Sequence, residues 1–391
     1  MTQPNIASAV ETVERLVSHL HPDGSFDPAD HEIPKGLEEV WRFTPIKRLR
    51  GIQDDAELSG DAYEISVEGD ERIAAMSVSA EDASKGSSGY VPTDRISARA
   101  WTEADKLFKV TIPKDTVIET PTAITFRGTD AEKAAAGHLI IEAKAFSKSV
   151  VVIDYVGSST WAENVEIVLE DGANLTFVTI IDWDGDAVHA THHHALVGRD
   201  ATLKHVVVTL GGDLVRLSAS VEYAGVGGDV EMLGVYFADA GQHLEHRLFV
   251  DHNNPKGRSK VDYRGALQGQ DAHTVWIGDV LIRKEGTGIE TYESNDNLIL
   301  TAGARADSVP NLEIETGEIE GAGHASTTGR FDDNHLFYLQ SRGIPEVEAR
   351  RLVVHGFFNS IVRRIGVEAV EERLLGAVEK ELAQTIGIPG E

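Results

Sequence analysis

The chain has 391 residues, 41% of them hydrophobic, which is ample for a buried core and argues against global disorder. Its 64 acidic and 36 basic side chains give a formal net charge of −28, a field that repels phosphate backbones and anionic lipid, so neither nucleic acid nor a membrane surface is an expected partner. Cysteine is absent, which excludes disulfides and any thiolate ligand from this chain.

The N-terminus lacks a basic segment followed by an apolar one, so no signal peptide is expected. No apolar run reaches the ~20 residues of a membrane span. A cytoplasmic location is the expectation.

Ala7 to Leu20 carries Val10, Val13, Leu16 and Val17 at helical spacing, and His21-Pro22-Asp23-Gly24 stops it. A polar loop leads to Trp41-Arg42-Phe43-Thr44-Pro45. Residues 52–135 alternate short apolar runs with turns and read as mixed.

From about His138 the texture changes to strand-like runs of five to eight residues divided by Gly, Asp and Asn turns. Similar units begin at Ala173-Asn174, Asp200-Ala201 and Gly228-Asp229, at nearly regular separation. No long helical pattern interrupts 138–320, so a doubly wound α/β fold is not expected. A sandwich, a barrel or a β-helix fits, and the regular repeat favours the β-helix.

Near Asp332 and Asp333, either of which can cap a helix, the pattern turns helical again. Gly343 suits the end of that helix and Pro345 opens the next, whose apolar stripe reads Leu352, Val353, Phe357, Ile361 and Ile365. A last amphipathic helix runs from Val367 to about Leu382, with Val370, Leu374, Val378 and Leu382 on one side. Such short helices need a surface to dock on. The organisation is a helical and mixed region over 1–135, a β core over 136–328 and a helical region over 329–391.

Sixteen histidines stand out. In a strand, His189, Thr191 and His193 share one face and His192 and His194 the other, so two could chelate a metal; the plainer reading is a solvated rung or loop. His243-Leu244-Glu245-His246 is not the H-E-x-x-H of a zinc protease, and on a strand its histidines face opposite ways. Gly225-Val226-Gly227-Gly228 precedes no helix and reads as a turn, and no P-loop occurs. Asp182-Trp183-Asp184 is the nearest thing to the carboxylate pair of a β-helix carbohydrate enzyme, and reads better as a solvated loop.

Gly323-His324-Ala325-Ser326-Thr327-Thr328-Gly329, followed by Leu336-Phe337-Tyr338-Leu339-Gln340-Ser341-Arg342-Gly343-Ile344, resembles the SufB/SufD family of iron–sulfur cluster assembly scaffolds. Tyr263-Arg264-Gly265-Ala266-Leu267, Ile277-Gly278-Asp279-Val280, Thr291 to Leu300, Pro310 to Ile314 and Trp41 to Pro45 match the family in order.

The resemblance implies a mainly β fold, a right-handed parallel β-helix core flanked by N-terminal and C-terminal helical regions. It also implies a SufB-type partner and a SufC-type ABC ATPase docked by the C-terminal helices. A homodimer in isolation is compatible with it. Ala322 stands where the family motif has cysteine, which points to the SufD-type, non-catalytic subunit with no cofactor of its own. By the same resemblance His324 lies at the subunit interface, either as an iron or cluster ligand shared with the partner or as a hydrogen-bonded interface histidine. Phe337, Tyr338, Arg342 and Phe357 are candidate partner-binding residues. For the aromatic ones, packing of the helices is the favoured alternative. A carbohydrate-active β-helix and a histidine-based iron-binding module are the competing functions.

Overall fold

The computed structural model describes residues 23–59, 62–331 and 333–386. The helix expected over Ala7–Leu20 lies outside them.

Residues 52–135 hold two antiparallel additions to the core. Strand β1 (Tyr63–Glu68) pairs with the first half of β4 (Thr122–Ala143), and β2 (Ala74–Ser79) pairs with β3 (Lys106–Ile112). Between them lies α1 (Arg95–Glu103), started by a capping box in which Asp94 accepts from the Ser97 N–H.

The core is a parallel β-solenoid of about eight turns. Strands β4 and β5 (Lys148–Leu169) are long enough to run through two faces of the coil, and each later turn splits into two shorter strands. One ladder runs from β5 through β6 (Asn174–Trp183), β8 (Thr202–Thr209), β10 (Asp229–Ala238), β12 (Arg258–Leu267) and β14 (Glu290–Ile299) to β16 (Gly321–Arg330). The other runs from β5 through β7 (Val188–Val197), β9 (Leu214–Tyr223), β11 (His243–His252) and β13 (His273–Ile282) to β15 (Arg305–Ile314). The three unit starts read from the sequence stack in register, with Thr202 beside both Asn174 and Asp229. Regular repeats stack because a single coil cannot cover its own apolar face.

Alternate residues of both ladders fill the interior, among them Phe177, Leu203, Tyr223, Tyr263 and Trp276. Outward residues of the second ladder pack on Trp41, Ile52, Ile96 and Ala100 of the N-terminal region.

The C-terminal helices dock on the chain's own solenoid. They are α2 (Asp333–Ser341), α3 (Glu346–Ile365) and α4 (Glu368–Ile386). Val354, Phe358, Ile361, Val362, Ile365, Val370 and Leu374 bury against Val178, Val206, Val208, Leu233 and Val235 on the outer face of the first ladder. This stripe is rotated from the expected one: Leu352 is 44% exposed, and Val353 and Phe357 are only half-buried. Arg364, seven residues on from Phe357 and so on the same flank of α3, pairs with Glu231 and Asp262, and Lys204 donates to the Arg364 carbonyl at 2.6 Å, so polar contacts border the buried stripe on that side. Gly343 has the left-handed conformation expected after α2, at φ +83°. Asp332 and the side chains of Val378 and Leu382 fall outside the described residues. No helix among the described residues is long and apolar enough to cross a membrane.

Candidate functional site

Among the described residues the solenoid's C-terminal end is covered by no further strand: β15 pairs with β13 on one side, and β16 with β14. Where the interior residues of earlier coils are buried, those of β15 are half-buried and those of β16 largely exposed. The mouth of the coil is therefore open, and His324 stands in it.

His324 pairs in register with Glu293 of β14, one coil below, and Val261 of β12 lies below that. Both side chains point to the interior, since Thr291, Asn295 and Asn297 share their face and are buried. The imidazole is 44% exposed, whereas the Glu293 side chain is 2% exposed, and His324 Nδ1 lies 3.8 Å from Glu293 Oε1. Among the described residues no hydrogen bond reaches that oxygen. Burial, with a smaller contribution from the Asp279 charge, pushes the Glu293 carboxyl up to about 8. Gly278 makes the room it occupies: a Cβ there would come within 2.5 Å of Glu293 Oε2 and 2.3 Å of the Trp276 ring. Nothing in the pattern Thr291-Tyr292-Glu293-Ser294 marks Glu293 as buried. Only the strand pairing with the His324 motif would have drawn attention to it.

A polar network continues inward beside the pair. Asn295 donates to the Tyr236 hydroxyl (2.8 Å), which donates to Asn297 Oδ1 (2.7 Å). Ser308 donates to Asn295 (2.8 Å) and Ser326 to Ser308 (2.8 Å), which carries the network out to the exposed last coil.

The other sequence-derived candidates separate. His189–His194 forms strand β7, so it is neither loop nor solvated. His193 lies inside, with Nδ1 3.0 Å from His205 Nε2, and His189 Nδ1 accepts from the Trp183 indole at 3.1 Å. His192 and His194 face outward, and both contact the Ser220 hydroxyl beneath the Tyr90 ring. Among the described residues no three His, Cys, Asp or Glu side chains converge on a metal position. Glu245 instead accepts from Arg216 and, at 2.6 Å, from Thr44, which ties the Trp41–Pro45 segment to the core, while His246 points inward to Thr209. Asp182-Trp183-Asp184 is not a solvated loop throughout: Trp183 is buried, and Asp182 sits 3.6 Å from Arg373.

A groove of about 410 Å³ lies between the Tyr90–Asp94 segment and the outer face of the second ladder. Of its three arginines, Arg216 and Arg283 are paired with Glu245 and Asp251, and Arg247 reaches Glu245 at 3.5 Å.

On α2, Phe337 is 72% and Tyr338 56% exposed, and the Arg342 guanidinium sits 4.9 Å from the Tyr338 ring centroid. These three do not pack the helix onto the core. Phe357 of α3 is apart from them. It is half-buried beside Phe358 (5.2 Å between centroids), and its carbonyl accepts from Arg264 at 2.7 Å.

Residues 126–357 match the family model for the SUF system FeS cluster assembly SufBD core domain. An iron–sulfur cluster assembly SufBD family protein of Mycobacterium bovis is 52% identical over 391 residues, covering 98% of each chain. One from Mycobacterium leprae is 52% identical over 92% of this chain and 93% of its own. The iron–sulfur cluster assembly protein SufD of Bacillus subtilis is 25% identical over 69% of this chain and 63% of its own. The chain belongs to the SufBD family of iron–sulfur cluster assembly proteins.

Proposed function

We propose that the chain is a non-catalytic scaffold subunit of the SUF assembly complex, of the SufD type. It pairs with a SufB-type subunit through the open end of its solenoid and docks a SufC-type ABC ATPase on its C-terminal helices. The observation that carries this reading is the last coil, left open among the described residues, with His324 in its mouth. An edge strand with unpaired backbone groups is a surface that another chain completes.

The absence of thiols fits the same role. A cluster built here is transient cargo whose sulfur ligands come from the partner, and the chain contributes at most nitrogen or oxygen ligands. A resident cofactor has no place in this scheme, and the setting is the cytoplasm. In isolation the same edge offers a route to a homodimer. Phe337 and Tyr338 of α2, with Arg342 just beyond its end, present an aromatic and cationic patch of the kind enriched at interfaces, and Phe357 of α3 is a separate candidate contact.

Co-expression of the tagged chain with SufB-type and SufC-type chains, followed by size-exclusion chromatography with mass detection, tests the proposal. The expected species contains one scaffold pair and two ATPase subunits. A monodisperse chain that captures neither partner would overturn it.

A further inference from the structure

Strand register stacks two histidines on the outer face of the second ladder. His243 opens β11 and His273 opens β13, one coil apart and directly paired. Their Nδ1 atoms face each other at 3.2 Å. On the far side of each ring Nε2 meets a carboxylate: Glu245 Oε2 at 3.3 Å for His243, and Asp307 Oδ2 at 2.7 Å for His273. Guanidinium groups hold both carboxylates as anions, Arg216 on Glu245 and Arg305 on Asp307 at 2.8 Å. An anionic carboxylate only accepts, so each Nε2 carries its ring's proton. In two neutral imidazoles the Nδ1 lone pairs are then directed at one another. Such a contact is repulsive unless the two nitrogens share a cation, which is either a third proton or a metal ion.

Two observations favour the metal ion. A carboxylate on the far N–H is the support that metal-bound histidines generally have, because it fixes the tautomer and aims the other nitrogen at the ion. Metal–nitrogen bonds are about 2.1 Å long, so nitrogens 3.2 Å apart subtend about 100° at a shared ion, near the tetrahedral angle. We propose that His243 and His273 form a binding site for a single nitrogen-preferring divalent ion of the zinc class, with Glu245 and Asp307 orienting the two rings. Paired imidazoles suit such an ion and not Mg²⁺ or Ca²⁺, which take oxygen ligands. Among the described residues no third His, Cys, Asp or Glu joins the pair as a ligand, so water completes the coordination. The His273 side chain is 23% exposed, which gives the ion an entry. The site is distinct from the mouth of the coil. His324 points inward from the first ladder, whereas these two histidines point outward from the second, on the side opposite Leu244 and Trp276 of the core. Its ion ties β11 to β13 directly and reaches β15 through Asp307, and it needs no partner chain.

The test is equilibrium dialysis of the EDTA-treated full-length chain against Zn²⁺, followed by metal analysis, with Co²⁺ as a spectroscopic probe of the ligand set. Wild type is expected to bind one ion that His243→Ala and His273→Ala no longer hold. Asp307→Asn, which keeps both ligands, should weaken binding about tenfold to a hundredfold, the loss that removal of an outer-shell partner causes, and should shift the Co²⁺ d–d absorption. An excess of Mg²⁺ should leave the ion in place, and His324→Ala should bind it with wild-type affinity. Circular dichroism and melting establish that each variant is folded. His243 is buried, so its variant is the one at risk, while His273 and Asp307 are partly exposed and keep the test decisive. Wild-type affinity in His273→Ala or Asp307→Asn, or displacement by Mg²⁺, overturns the proposal. So does a wild-type chain with no His273-dependent ion, whose facing imidazoles then share a proton alone.

Discussion

Glu293 and the interior histidines place opposite pH dependences in one fold. Burial holds His205 down to about 4 and His246 and His252 to about 3. The unfolded chain takes up these protons near pH 6.5, so stability is unaffected by them above that value. Below it, each costs about 1.4 kcal/mol per pH unit until its folded value is reached. The unfolding free energy in urea should therefore fall between pH 6.5 and pH 4.5, with a shallower slope in His246→Phe, where stacking on Tyr236 is retained. A profile flat over that interval would show that the interior admits protonated imidazole. Glu293 acts the other way. Its folded value of about 8 means that the native chain keeps a proton the unfolded chain releases above pH 4.5, so its cost grows from pH 4.5 up to about 8. Glu293→Gln should thus raise stability at pH 7.5, on the order of a few kcal/mol. If the variant melts lower, the carboxylate is ionised and satisfied in the native state. His324 is conspicuous in the sequence because a motif surrounds it. Glu293 is an ordinary-looking acid whose burial arises only when a later coil is laid on top of it.

At the scale of elements, the docking of α3 rests on few side chains. Phe358 is fully buried between the helix and the first ladder, and Phe→Ala at such a site costs about 3–5 kcal/mol. The described apolar side chains of α3 and α4 bury on the outer face of the sheet, so Phe358→Ala should loosen α3 and α4 while the solenoid persists. Hydrogen exchange should rise over residues 346–386, and protection in β6, β8 and β10 should stay at wild-type level. Loss of protection throughout would mean that the helices and coil form one cooperative unit. Helix ends and coil starts were legible locally, because Gly343, Pro345 and the turns near Asn174, Thr202 and Asp229 carry their own backbone preferences. Which side of α3 faces the sheet was not. Val353 and Phe357 are as apolar as Val354 and Phe358, so the helix's own pattern does not choose between them, and the sheet residues that receive it, Val178, Val206, Val208, Leu233 and Val235, lie far along the chain.

For the molecule as a whole, periodic short strands are consistent with a sandwich, a barrel or a solenoid, since each alternates inward and outward residues. Regular spacing between the units at Asn174, Thr202 and Asp229 separated these, because only stacked coils require equal path lengths between in-register residues. The same stacking leaves a solenoid with two ends. Here one end receives β1–β3 and α1, while the other finishes at β15 and β16 with side chains half-buried or exposed and, among the described residues, one edge of each strand unpaired. Ser326 and Thr328 share the inward face of β16 with His324 and are exposed. Replacing both with Glu adds two like charges at the mouth and removes no buried side chain, although it gives up the exposed Ser326–Ser308 hydrogen bond. Melting of the free chain should stay within the small range typical of surface changes, about 0.5 kcal/mol, whereas a partner seated there would have to desolvate both carboxylates. The double variant should therefore elute without the SufB-type subunit yet still be retained by the ATPase, whose proposed contacts lie on α2. Co-elution with both partners at wild-type ratio would mean that pairing uses another face of the coil.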